Sequence, residues 1–196
     1  MGLLALQVVA VLASWGILAG HRFNHVEVLV LLSSDTVPTV LLLAMALSIA
    51  VRVARGRNVA INRYARIYLG TATAQVMLNI ALLVSSGRPR HESLVWGLCV
   101  LGGAYLLVVA VFSGWYWLYD QTIPGGAFDF PEAEVLPNFR PNLIDYVFIS
   151  FNTNSTFGPT AELIKSRHVK VLMMLQTSLS LAILLVFVAR LTGLTR

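Results

Sequence analysis

Asn142-Leu143-Ile144-Asp145-Tyr146-Val147-Phe148-Ile149-Ser150-Phe151 is an apolar stretch of about ten residues, half of what a helix needs to cross a hydrocarbon core. Asn152-Thr153-Asn154-Ser155-Thr156-Phe157-Gly158-Pro159-Thr160 follows directly, rich in hydroxyls, amides and helix breakers, and then a long apolar run, Val169–Leu191. Irregular backbone is tolerated at membrane depth only where protein or water covers it. A short helix and a polar turn set between two full-length apolar runs therefore predict a re-entrant loop, with a surface loop at headgroup level as the other reading.

The surrounding chain agrees with a membrane setting. Of its 196 residues, 57% are hydrophobic and 12% charged, with a mean hydropathy of +0.77, against about 25% charged in ordinary soluble domains. The net charge of +5 comes from 14 Lys and Arg residues that gather at the ends of apolar runs, the pattern of topology signals and lipid contacts. Nucleic acid is therefore not an expected partner. Cys99, the one cysteine, has no disulfide partner in the chain.

Five apolar runs are long enough to span: Gly2–Gly20, Val26–Val53, Ile67–Ser85, Leu94–Leu118 and Val169–Leu191. The first has no Lys or Arg before it and exceeds the h-region of a signal peptide, so it is expected to be retained as a helix. Ser33, Ser34, Asp35 and Pro38 interrupt the second, and proline should kink or break it there. The expected fold is thus all-α and integral to the membrane, with about five transmembrane helices plus a re-entrant helix and loop before the last. Residues 1–92 form an N-terminal three-helix region and residues 93–196 a module of helix, acidic loop, re-entrant segment and helix.

Several polar positions draw a functional reading beside a plainer one. Asp35 is the one acid within a predicted span, a cation or proton site by default, or else a helix cap touching water. Gln75 with Asn79, and Gln176 with Ser180, lie one turn apart on their spans, where they line a wet path or join helices. Small residues at four-residue spacing, Ala110 with Gly114 among them, allow close helix approach. Tyr64, Tyr68, Trp96, Trp115, Tyr116, Trp117 and Tyr119 read as interfacial anchors. Between Asp120 and Asp145, five acids face one base, Arg140, giving −4 in a chain of +5, a segment suited to gathering cations. His21 and His25 lack a third metal ligand nearby, and there is no paired carboxylate, serine elbow or glycine-rich phosphate loop. No enzyme activity, metal or cofactor is expected.

The order of span, short helix, polar turn and span resembles the pore module of potassium-channel-like proteins, whose turn reads Thr-Val-Gly-Tyr-Gly-Asp and whose carbonyls replace ion hydration. Asn154, Ser155, Thr156, Phe157, Gly158 and Pro159 stand in those places, with Thr156 where the first glycine would be. Gly125-Gly126-Ala127-Phe128-Asp129-Phe130-Pro131, Tyr146-Val147-Phe148-Ile149-Ser150-Phe151 and Thr156-Phe157 are similar to the loop, helix and turn motifs of an uncharacterised bacterial integral membrane family, domain of unknown function 1345. That resemblance covers about 80 residues, departs at Gly158-Pro159, and brings no established activity.

What the resemblance implies is an inner-membrane, multi-pass homo-oligomer, tetrameric if the channel likeness holds, with inorganic cations and the lipid bilayer as partners. Leu143–Phe151, with Asp145, Tyr146, Phe148 and Phe151, would be the pore helix; Thr153, Asn154, Ser155, Thr156, Phe157 and Gly158 the constriction; Gln176 and Ser180 pore-lining. The expected function is a weakly selective cation pore, with a non-conducting scaffold or accessory subunit as the alternative and a transporter using Asp35 as the third. With five spans, nine Lys and Arg lie on the side of the pore-like loop and five on the other, which places that loop at the cytoplasm; a miscounted span would reverse it.

Overall fold

In the computed structural model, the described residues are 44, 61–85, 94–136, 139–155 and 162–192. They fold as helix α1 (Ile61–Ser85), α2 (Leu94–Thr122), strand β1 (Phe128–Asp129), the one-turn α3 (Glu132–Val135), α4 (Leu143–Asn154), β2 (Leu163–Ile164) and α5 (Arg167–Thr192). Helix α2 is the hub: it packs against α1, α4 and α5, while α4 also contacts α5 and α1 contacts α5. One core runs through the bundle, with Val76 and Ile80 from α1, Val108 and Phe112 from α2, Ile149 from α4 and Met173 from α5. A smaller cluster joins Ala65, Tyr68 and Leu69 of α1 to Leu118 of α2.

The expectation of about five transmembrane helices is corrected here. Among the described residues, two helices are long and apolar enough to cross a membrane, at Leu101–Thr122 and Arg167–Ala189, and a two-stranded sheet accompanies them. The stretches Gly2–Gly20 and Val26–Val53 lie outside the described residues, apart from Ala44. The stretch Ile67–Ser85 belongs to α1, whose helix starts earlier and carries Asn62, Arg63, Arg66, Gln75 and Asn79. Among the described residues it is not one of the two span-like helices.

The two span-like helices differ in what they bury. α2 is wrapped by its neighbours, with Val108, Phe112 and Tyr116 fully buried. α5 turns Val171, Met174, Leu181, Leu185 and Val188 outward and keeps Gln176 and Ser180 inside. α4 repeats this inversion: Ile144, Phe148 and Phe151 are exposed, whereas Ser150, Thr153 and Asn154 are buried. Water would favour the opposite placement, and a bilayer favours this one because the apolar face is solvated by lipid and the polar groups find partners inside.

At the α1–α2 crossing, Gly114 meets Leu69: a β-carbon at Gly114 would stand 2.8 Å from Leu69 Cδ2. Close approach lets the Trp115 indole donate to Thr73 Oγ1 at 2.8 Å, while Thr73 donates to Leu69 O at 2.7 Å. Gly70 has open space around its Cα, so it serves no such crossing. Gly114→Ala should be tolerated through rotation of the Leu69 side chain, whereas Gly114→Leu should cost about 1–3 kcal/mol through overpacking. Thermal unfolding of both variants in detergent checks this, and Leu69→Ala should recover part of the Gly114→Leu loss.

Candidate functional site

Helix α4 begins with a reciprocal cap. Asn142 Oδ1 accepts from Ile144 N at 2.7 Å, and Asp145 Oδ2 accepts from Asn142 N at 2.6 Å, so Asp145 sits in the first turn where the helix dipole favours an anion. The helix then runs through Asn154, three residues beyond the expected end at Phe151, and Ser155 caps it by donating its N–H to Phe151 O and Thr153 O. Thr153 and Asn154 are therefore helical, not part of an irregular turn. Thr153 donates its hydroxyl to Ile149 O at 2.8 Å, and Asn154 finds partners across the bundle, so neither side chain competes with the helix.

Those partners form a clamp between α2, α4 and α5. The amide of Gln176, fully buried, accepts from Tyr116 OH at 2.6 Å and donates through Nε2 to Ser150 O at 2.7 Å, Ser150 Oγ at 3.0 Å and Asn154 Oδ1 at 3.4 Å. Ser150 donates its own hydroxyl hydrogen bond to Val109 O at 2.8 Å, and Asn154 Nδ2 donates to Tyr105 O at 3.3 Å. The Ser180 hydroxyl sits between Asn154 Oδ1 and Gln176 O. Gln176, Ser180 and Asn154 thus join helices within one chain, and all three are buried, as is Thr153.

A second lock fastens the loop after α2. Asp120 Oδ1 accepts from Ala127 N at 2.6 Å and Phe128 N at 3.1 Å, while Oδ2 accepts from Tyr146 OH at 2.6 Å. The chain can return so sharply because Gly125 and Gly126 adopt φ of 79° and 75°, a region glycine enters without strain. A β-carbon on Gly126 would also stand 3.0 Å from Asp120 Oδ1. The returning loop pairs with the segment ahead of α5, with Phe128 opposite Ile164 and Asp129 opposite Leu163, and Lys165 bridges to Asp129 at 3.0 Å. Phe128 and Phe130 lay their rings against Tyr146 at 6.2 and 6.0 Å. Burial pushes the Tyr146 phenol above its usual range, and the hydrogen bond and charge of Asp120 push it further.

This accounts for three acids of the loop that was expected to gather cations: Asp120 holds backbone and phenol, Asp129 pairs with Lys165, and Asp145 caps α4. Tyr146 is buried, while Phe148 and Phe151 face outward, the latter edge-on to Tyr105 at 6.0 Å. Ser155 is half-buried at the helix end, its hydroxyl donating to Asn152 O. Thr156, Phe157, Gly158 and Asp35 lie outside the described residues, as do His21 and His25. Among the described residues no group of three or more His, Cys, Asp and Glu assembles a metal site.

The roles of Tyr116, Ser150 and Asp120 differ from those the sequence suggests. Tyr116 was expected in an interfacial belt and is instead a buried donor; the signal available was its place amid a long apolar run, where a hydroxyl needs a partner. Ser150 shares a helix face with Asn154 four residues on, which marked a polar stripe. No family model, curated protein or solved structure matches the chain.

Removing the amide in Gln176→Leu strands Tyr116 OH and leaves the Ser150 and Asn154 side chains short of a donor. The variant should lose about 2 kcal/mol or more. A double-mutant cycle with Tyr116→Phe, read by reversible unfolding in bicelles, should give a coupling of about 1 kcal/mol, within the range of side-chain hydrogen bonds in membranes. The raised Tyr146 phenol has a signed consequence: its protonated form is favoured in the folded state, so its contribution is complete below the ordinary tyrosine value of 10.0 and is lost as pH rises beyond it. Stability of Tyr146→Phe should therefore decline less steeply above that pH than the parent protein's.

Proposed function

We propose that this chain is a multi-pass protein of a bacterial inner membrane whose C-terminal half is a pore-loop-like module, acting as a homo-oligomer that passes cations with weak selectivity. One observation carries the reading: α4, at 12 residues, is about 18 Å long, too short to span, and is held between two span-like helices that precede and follow it in sequence. A half-length helix so placed has its carbonyl end directed away from its capped start. The negative end of its dipole favours a cation near Ser155 and the residues that follow. The resemblance of Ser155-Thr156-Phe157-Gly158 to part of a filter turn supports the same assignment.

A specific observation favours a second reading, a non-conducting membrane scaffold. The polar side chains of α5 that would serve a water path, Gln176 and Ser180, are engaged in the clamp, and the outward face of α5 is largely apolar.

Ion flux into liposomes holding the purified protein separates the two. Potassium and sodium should pass while chloride does not, and Ser155→Lys should reduce cation flux at least tenfold by placing a fixed positive charge beside the constriction. No flux of any ion from a folded oligomer would overturn the pore and leave the scaffold.

A further inference from the structure

The clamp and the Asp120 lock show how this protein satisfies its buried polar atoms. Glu162 departs from that rule: its side chain is 8% exposed, and Oε2 has no hydrogen-bond partner among the described residues. The ribbon explains where it points. Phe128 and Phe130 are buried and Asp129 between them is exposed; Glu162 is buried, Leu163 exposed, Ile164 half-buried and Lys165 exposed. With Phe128 opposite Ile164, this alternation puts Glu162 on the face that carries the phenylalanines. Lys165 lies on the other face, committed to Asp129, and Arg140, Arg167 and His168 are exposed.

Taking a carboxylate oxygen from water without a partner is costly in a folded protein, and an orphaned buried oxygen is a place where a water or an ion binds. Aromatic faces sharpen the demand, because their negative quadrupole repels a carboxylate and attracts a cation. We propose that Glu162 binds a monovalent alkali cation on the buried face of the β1–β2 ribbon. The valence follows from charge: one carboxylate neutralises one positive charge, and the described residues assemble no group of three or more His, Cys, Asp and Glu to hold a multivalent ion. An oxygen ligand suits such a hard cation. Binding there does not require that the protein conduct.

The test compares the full chain in detergent with potassium, sodium or N-methyl-D-glucamine chloride at equal ionic strength. The alkali cations should raise the unfolding midpoint by about 5 °C or more at saturation, and radioactive rubidium should bind at one ion per chain. Glu162→Gln should lose both the shift and the rubidium, and in N-methyl-D-glucamine it should be at least as stable as the parent protein. Should that variant fail to fold, Glu162→Asp should change the rubidium affinity at least threefold. The proposal is overturned by a parent protein indifferent to alkali cations, by an equal response in Glu162→Gln, by an unchanged affinity in Glu162→Asp, or by stabilisation on lowering pH in place of adding cation. Rubidium binding without ion flux would keep this site and remove the pore; flux with no Glu162-dependent binding would do the reverse.

Discussion

Everything in the bundle turns on where the amide of Gln176 can go. A primary amide in the middle of an apolar helix has two donors and an acceptor to satisfy, and lipid offers nothing to it. Tyr116 supplies the donor, and Ser150 and Asn154 supply the acceptors, so one side chain fixes the rotation of α5 and seats α4 against α2. Their apolar residues then have no choice of face. Val171, Met174 and Leu185 on α5, and Ile144 and Phe148 on α4, point outward because the opposite faces are held by hydrogen bonds. The hydrophobic effect alone would not orient these helices in a bilayer, where either face is equally well solvated.

The loops are built on the same constraint at the end of the bundle. Asp120 gathers two backbone N–H groups and a phenol, and that works only because Gly125 and Gly126 let the chain double back beside it. The aromatic face of the returning strand then covers Tyr146, and β2 ties the approach to α5 to the same patch. Asp120, Phe128 and Phe130 thus cover Tyr146 in the first turns of α4. The stacking of Tyr119 on His168 at 6.1 Å links α2 with the start of α5 nearby.

Much of this was legible in the chain, and the failures have physical causes. Length and hydropathy found α2 and α5, and the short apolar stretch after the acidic loop marked α4 as a helix too short to span. The end of that helix was misplaced because Thr153 and Asn154 favour turns by propensity, whereas an acceptor one turn back at Ile149, an acceptor at Tyr105 on α2 and the Gln176 donor on α5 hold them in helix. Of the five expected spans, Gly2–Gly20 and Val26–Val53 lie outside the described residues apart from Ala44, and Ile67–Ser85 is part of a helix described from Ile61 onward, whose first turns carry two arginines and an asparagine. The charge of the loop was read as a field, whereas most of its function is local: caps, backbone acceptors and one ion pair. Burial of Glu162 was invisible, since it depends on strand register between segments more than 30 residues apart.

The clamp also states what a cation path would have to use. Polar side chains of α2, α4 and α5 are turned toward each other, so on the proposed reading an ion would meet backbone carbonyls near Ser155 at the end of α4. Hydrogen exchange of the Gln176 side-chain amide, followed by NMR in lipid nanodiscs, addresses this arrangement most directly. The account predicts an amide protected from exchange on the timescale of the protein's own opening, with a through-space contact to the Tyr116 ring. Rapid exchange with bulk water, at the rate of a pore-lining amide, would contradict it.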